Sequence, residues 1–496
     1  MTGAATKILT VFEDVIGVPL PIRVRCWDGS EAGPPDAAAQ VHFRNRRALR
    51  RVLYSPNELG LARAYVSGDL DVDGDIFALL DVPDLVTRLG ENRLSGLPLS
   101  SIVRAAGTFA GLGALGLPPS PPSIEMRRKR GTRHSKARDS ATVSHHYDVG
   151  NRFYELFLGP SMVYSCGYWP EGVESLEAAQ FAKLDLICRK LDLKPGMRLL
   201  DVGCGWGSMA LHAAQNYGVD VVGVSLSNEQ VEYAKGRVAD AGLTDRIEIR
   251  VQDYRDVDDG PYDAISSIGM SEHVGLANLP VYTAKLHELL VPEGRLLNHA
   301  IAAVKSLSDK VDDGPSFIDR YIFPDGEILP LSKTIDALEL SGFETRDSEA
   351  LREHYALTLR AWVENLRENW DAAVLQVGAP RVRTWLLYLA ASALGFEEPH
   401  RLTIHQVLAV KTGDRGPAAW PAHVRVGTDR LKSRRSKPVR VSTEAYTLDV
   451  HEHPEGCPRG SEDFGRCGIG ASADVAAVHT DVERRTCERF LRRESG

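Results

Sequence analysis

Little in this 496-residue chain supports a secreted or membrane-spanning protein. Seven cysteines in such a length make no disulfide framework, and residues 1–19 lack the basic stretch and apolar run of a secretory signal. The most apolar segment, 102–117, is broken by Arg104 and by Gly107, Gly111, Gly113 and Gly116, and it is too short to cross a bilayer comfortably. No excess of positive charge is present: the formal net charge is −8, which argues against a general nucleic-acid binder. With 43% hydrophobic and 25% charged residues, the composition is that of a globular protein. A reduced, cytoplasmic setting is the default expectation.

The length exceeds what one core usually serves, so two domains with appendages are expected. Residues 1–117 mix β-like runs (22–27 and 40–43) with a helical stretch over 56–67, a small α+β domain. Pro118-Pro119-Ser120-Pro121-Pro122 then opens a linker over 118–140, because consecutive prolines neither continue a helix nor pair in a sheet. The linker carries Arg127, Arg128, Lys129, Arg130, Arg133, Lys136 and Arg138 with no acid between them. Charge runs of this kind are often simply solvated. Its neighbourhood to the apolar 102–117 stretch nevertheless suggests an anionic membrane surface as partner.

Residues 141–428 read as one α/β domain. Val- and Ile-rich runs at 197–202, 219–226, 247–252, 262–268 and 295–302 alternate with helical stretches such as 228–241 and 279–290. That alternation implies a mostly parallel sheet covered by helices on both faces. Residues 429–496 are polar, poor in large apolar side chains and expected to be disordered. His451, His453, Cys457, Cys467 and Cys487 fall in this tail at spacings that match no compact zinc site, so no metal is assigned.

The most informative segment is Leu199-Leu200-Asp201-Val202-Gly203-Cys204-Gly205-Trp206-Gly207. A strand runs into a turn whose glycines leave room for a ligand, with Asp201 at the carboxyl end where open sheets bind ligands. A dinucleotide site wants Gly-x-Gly-x-x-Gly and an acid some way on, at the tip of the second strand. Here the spacing is Gly-x-Gly-x-Gly, and the second strand ends Val224-Ser225-Leu226-Ser227 without an acid. NAD is disfavoured.

Ser225-Leu226-Ser227-Asn228-Glu229-Gln230 resembles a segment of the cyclopropane-fatty-acid and mycolic-acid methyltransferases, where it lies beside the adenosine in place of the acid. Further marks of the same resemblance are Ser144-His145-His146-Tyr147-Asp148, Tyr164-Ser165-Cys166-Gly167-Tyr168, Ser271-Glu272-His273-Val274-Gly275 and Arg320-Tyr321-Ile322-Phe323-Pro324. The likeness runs from residue 141 to about 411 and is weaker over 1–117, which resembles the lipid-handling domain of bacterial cyclopropane synthases. It implies a class I S-adenosylmethionine-dependent methyltransferase: a Rossmann-like, mostly parallel seven-stranded sheet with a small N-terminal α+β domain.

By the same resemblance, Cys166, Glu272, His299, Tyr355 and the backbone of Ile301 hold a catalytic bicarbonate. S-adenosylmethionine is implied to contact Tyr164, Ser165, Leu199, Asp201, Gly203, Cys204, Gly205, Trp206, Gly207, Ser225, Leu226, Ser227, Gln230, and Gln252 or Asp253. Singly, each has a plainer reading, Cys166 as a small buried hydrophobe or His299 as a satisfied core histidine. Together they favour a site.

The implied reaction adds a methyl(ene) carbon to the double bond of an unsaturated phospholipid acyl chain through a carbocation that bicarbonate deprotonates. The aromatic faces of Tyr147, Tyr168, Tyr321 and Phe323 are candidates to steady the cation. A cyclopropane or a methylene branch results, the latter calling for a partner reductase; a homodimer is left open. The expected location is cytoplasmic, peripheral at the inner face of the membrane. Two alternatives are a class I methyltransferase acting on a free acyl chain or small molecule, and a non-catalytic lipid-binding homologue.

Overall fold

Eleven strands appear in chain order among the described residues: β1 Ile22–Cys26, β2 Glu31–Ala32, β3 Ala39–Phe43, β4 Leu70–Gly74, β5 Arg198–Val202, β6 Asp220–Ser225, β7 Ile247–Val251, β8 Tyr262–Ile268, β9 Leu290–Ala303, β10 Phe343–Ala350 and β11 Leu402–Lys411. The structure is a computed structural model that describes residues 3–55, 57–80, 99–126, 134–147, 149–304, 316–397 and 402–413. The tail 429–496 with its histidines and cysteines, the basic residues 127–130 and 133, and Asp148 lie outside the described residues.

β5 to β11 form one seven-stranded sheet in the order β10-β11-β9-β8-β5-β6-β7. β9-β8-β5-β6-β7 run parallel, and β11 enters antiparallel between β9 and β10. This is the α/β, mostly parallel seven-stranded sheet that the resemblance implied. Helices cover both faces because the central strands are apolar on both. Leu199, Val221 and Leu297 pack under the Leu176–Lys190, Ser208–Tyr217 and Asn228–Asp240 helices. Leu200, Val222 and Leu296 pack under Leu279–Glu288 and Leu331–Leu340.

The four N-terminal strands make a second, smaller sheet in the order β2-β1-β3-β4, with β1 and β3 parallel. Its core is continuous with that of the large domain's final helices, and Arg383 on the Ala379–Glu397 helix makes a double hydrogen bond to Asp71 of β4, each at 3.0 Å. The apolar stretch expected over 102–117 contributes a helix, Leu99–Gly111, which packs Phe109 against Phe12 of the first helix. Leu115 and Leu117 beyond it are exposed. No helix among the described residues is long and apolar enough to cross a membrane.

Candidate active site

The cavity above the carboxyl ends of β5, β6 and β8 has a volume of about 150 Å³. Its floor is the glycine-rich loop. Gly203 takes φ +77° and its amide donates to the Val224 carbonyl at 2.9 Å, which folds the chain back over β6. A Cβ on Gly203 would stand 2.5 Å from the Met270 sulfur, so only glycine keeps this wall open. Trp206 is locked by its indole N–H donating to Asn151 Oδ1 at 2.7 Å.

At the second strand tip, the Ser225 hydroxyl donates to Gln230 Oε1 at 3.0 Å. Gln252 follows β7 and donates its side-chain amide to the Asp256 carbonyl. Burial would raise the Asp253 carboxyl, but three hydrogen bonds from Arg255 outweigh it and hold the group below its ordinary value. Arg255 also pairs with Asp139 at 3.0 Å, tying the Lys136–Tyr147 helix to the cavity rim. Lys136 and Arg138 of the basic run are used the same way, in ion pairs to Asp256 and Asp325.

Of the residues expected at the cofactor, Tyr164, Ser165, Asp201, Gly203, Cys204, Gly205, Trp206, Ser225, Leu226, Gln230, Gln252 and Asp253 line this cavity. Three do not. Leu199 is fully buried two residues down β5 from Asp201, on the same face but deep in the core. Ser227 turns its hydroxyl to cap the Asn228–Asp240 helix, accepting the Gln230 N–H. Gly207 faces Ala234 as the residue before the Ser208–Tyr217 helix.

Cys166, His299 and Tyr355 are buried and Glu272 is partly buried; Cys166 and Glu272 directly adjoin the cavity-lining Ser165 and His273 in the chain. Glu272, in the short Ser271–Val274 helix, accepts the Ile301 amide N–H at 2.7 Å through Oε1, while Oε2 is buried without a partner among the described residues. Burial pushes its carboxyl up to about 7, against the pull of backbone N–H groups. His299 sits on β9 with both ring nitrogens buried and unpartnered among the described residues, and burial drives its pKa well below the ordinary value. The imidazole is neutral.

The Cys166 thiol is pushed up by burial and donates toward the Gly167 and Leu351 carbonyls. Burial raises the Tyr355 phenol well above 10, and Tyr388, Cys166, Glu272 and Tyr147 add to the rise, which puts these groups within electrostatic reach of one another.

Aromatic faces surround this region. His146 makes tilted ring contacts with Phe323 and Trp385, with centroids at 4.0 and 5.0 Å, and Tyr164 packs on Trp362 at 5.4 Å. Tyr147 lines the cavity and Phe323 joins this cluster. Tyr321 does not: its hydroxyl is bound to Glu125 and its ring packs on Phe317. Tyr168 lines a separate outer groove beside Phe181.

Sequence reasoning missed Lys183, whose ammonium is buried beside the cavity, and Gln406, buried on β11 opposite His299 with neither amide atom partnered among the described residues. A signal for Lys183 was present. Gln180, Lys183, Ile187 and Lys190 fall at helical spacing on the buried face of their helix, where a lysine needs a reason.

Comparison with known proteins agrees with this architecture. The family model for mycolic acid cyclopropane synthetase matches residues 134–407. The chain is 44% identical over 408 residues to a protein of Mycobacterium tuberculosis named "Probable fatty acid methyltransferase", covering 81% of this chain and 93% of that one. It is 41% identical over 262 residues to the cyclopropane-fatty-acyl-phospholipid synthase of Escherichia coli K12, covering 53% of this chain and 66% of the synthase. The solved mycolic acid cyclopropane synthase CmaA1, complexed with SAH and CTAB, superposes with a TM-score of 0.52 at 32% identity, over 55% of this chain and 98% of that one. With a glycine loop open to a ligand and these relatives, the chain belongs to the mycolic acid cyclopropane synthetase family and is an S-adenosylmethionine-dependent methyltransferase.

Proposed function

We propose that the chain adds a methyl(ene) carbon from S-adenosylmethionine to the double bond of an unsaturated acyl chain in a phospholipid, with bicarbonate as the base. The carrying observation is a set of buried polar atoms that have no partner among the described residues: Glu272 Oε2 and both nitrogens of His299, close to a cluster of aromatic rings. Orphaned buried groups cost stability, so they fit a small oxyanion that both donates and accepts. Glu272, His299, the Cys166 thiol and the Tyr355 hydroxyl would hold it. The names of the relatives support the substrate class, an unsaturated fatty acyl chain.

Bound S-adenosylmethionine supplies an electrophilic sulfonium methyl, and bound bicarbonate supplies a base. The chain's own residues do the rest. The glycine loop, Asp201 and the Ser225–Gln230 pair fix the donor, which can recover about 7–11 kcal/mol of barrier by alignment. As the alkene carbon forms its new bond, positive charge develops on the acyl chain. Desolvated aromatic faces such as those of Tyr147 and Phe323 favour it by about 2 kcal/mol each. Burial of Glu272 and His299 excludes the water that would otherwise trap the cation. Proton loss from the new methyl closes a ring; loss after a hydride shift leaves a methylene branch for a partner reductase.

The remaining basic residues of the run, Arg127, Arg128, Lys129, Arg130 and Arg133, and the exposed Leu115 and Leu117 support a peripheral position on an anionic membrane, at its cytoplasmic face. Incubation with S-adenosylmethionine and dioleoyl phospholipid, followed by mass spectrometry of the acyl chains, tests the reading. A gain of one CH2 is expected; its absence from every unsaturated phospholipid tried, with conversion of free oleate instead, would replace the phospholipid with a free acyl chain as substrate.

A further inference from the structure

Lys183 is 1% exposed, and a buried cation ordinarily has an anionic partner. Lys190, two turns on in the same helix, has two: Asp347 at 3.1 Å and Glu349 at 2.6 Å. Lys183 has no such partner among the described residues. Its Nζ donates to the neutral Ser165 hydroxyl at 2.9 Å, and two of its three N–H groups remain unused.

Across the cavity floor, Asp201 presents the complementary problem. Its Oδ1 accepts the Ser266 hydroxyl at 2.7 Å, whereas Oδ2 is buried and unpartnered among the described residues. Burial pulls the Lys183 ammonium down to about 8 and pushes the Asp201 carboxyl up to about 6, and the attraction of each for the other offsets only part of that cost. The two line the same cavity as the glycine loop, yet they make no ion pair with each other within 4.0 Å. One wall thus offers a lone cation and a lone carboxylate oxygen at separate points. A ligand satisfying both must itself carry an anion and a cation side by side, which is the chemistry of a free α-amino acid group.

We infer that Lys183, seconded by Ser165, binds the α-carboxylate of the methyl donor's methionine end, while Asp201 faces its α-ammonium. This rests on the reading of the cavity as the S-adenosylmethionine site. It adds a charge-matched contact that places the sulfonium by its amino-acid end, away from the adenosine. Lys183 also acts electrostatically on Cys166 and His299, so a second oxyanion, bicarbonate, lies within the same field. The donor carboxylate is favoured because Lys183, Ser165 and Asp201 all line the donor cavity, which Cys166 and His299 do not.

Decarboxylated S-adenosylmethionine keeps the adenosine, the sulfonium and the amine and lacks only the carboxylate. Titration calorimetry of the full chain with both donors, in wild type and in Lys183→Met, tests the inference. Wild type is expected to bind the carboxylated donor at least about tenfold more tightly, the scale of one charge-assisted contact. Lys183→Met should bring that ratio close to one by weakening only the carboxylated donor. Equal affinities in wild type would overturn the inference without any variant. So would a variant that weakens both donors alike, or one that leaves both unchanged but no longer responds to added bicarbonate. Failure of wild type to bind either donor would overturn the cofactor reading itself, a result distinct from the others.

Discussion

The Glu272 carboxylate is anchored at one oxygen by the Ile301 amide, 2.7 Å away, and has no partner among the described residues at the other, which is buried. The arrangement aims a single acceptor at whatever occupies the neighbouring space. The anchor also sets where it points, since Ile301 is two residues beyond His299 on β9 and the strand repeat carries both side chains to one face.

Substituting Glu272→Gln keeps the shape and removes the charge. Turnover is expected to fall by two orders of magnitude or more, about 2.7 kcal/mol of lost stabilisation. Affinity for S-adenosylmethionine should stay within about twofold, because Glu272 does not line the donor cavity. The wild-type pH–rate profile should rise as Glu272 ionises near 7, and the variant should lack that limb. Steady-state kinetics between pH 6 and 8.5 with parallel calorimetry would check it; a variant with wild-type rates removes Glu272 from the chemistry.

The same burial predicts a stability effect of opposite sense. Glu272 has its folded-state pKa raised from 4.5 to about 7, so the folded protein holds this proton more tightly than the unfolded chain does. Its stabilising contribution is complete below 4.5 and is lost as pH rises through 7, by an amount on the order of 3 kcal/mol. In the unliganded protein, Glu272→Gln should therefore match wild type near pH 5 and melt higher at pH 8. Thermal denaturation at the two pH values measures the difference, and curves that stay parallel would refute the buried carboxyl.

Gly203→Ala tests the loop. A side chain at φ +77° costs about 1–2 kcal/mol, and its Cβ displaces Met270, which lines the same cavity. Donor affinity should drop at least about tenfold while the fold survives, since the strain is local and within the range of single substitutions. Calorimetry with circular dichroism would detect both; unchanged affinity would mean the donor does not approach Gly203.

How far the sequence revealed this site follows from locality. Strands at 197–202 and 262–268 were legible because they are buried on both faces, whereas 247–252 showed itself by alternation, as an edge strand with Glu248 and Val251 exposed. The expected 295–302 strand extends back to Leu290, and β10 and β11 escaped notice altogether. β10 is a polar edge strand, Phe343–Ala350, and its place is fixed by pairing with β11 far along the chain, which no local pattern records. The glycine loop was readable because its chemistry is contiguous. Leu199 was over-assigned by extending that loop into its strand, and Tyr168 and Tyr321 by proximity to motifs whose neighbours alone face the cavity. Lys183 and Gln406 were passed over because a lysine in a helix and a glutamine in a strand read as solvent-facing until the packing is known.

Gln406 gives the last prediction. It pairs directly across the antiparallel β9–β11 ladder with His299, so the two side chains leave the same face about 5 Å apart. The glutamine is completely buried, and neither its amide atoms nor the imidazole nitrogens have a partner among the described residues. A buried amide that bonds to nothing lowers the stability of the unliganded protein by roughly 1–3 kcal/mol, and Leu in its place removes that loss at similar volume. Gln406→Leu should raise the melting temperature of the unliganded protein by a few degrees. If the amide helps His299 hold the oxyanion, turnover should fall about tenfold or more in the same variant, and Gln406→Asn should recover only part of it. Stability gained together with activity lost separates a ligand-directed amide from a merely structural one, for which both quantities would fall together. A variant that melts lower and turns over normally would show that Gln406 packs the sheet and nothing more.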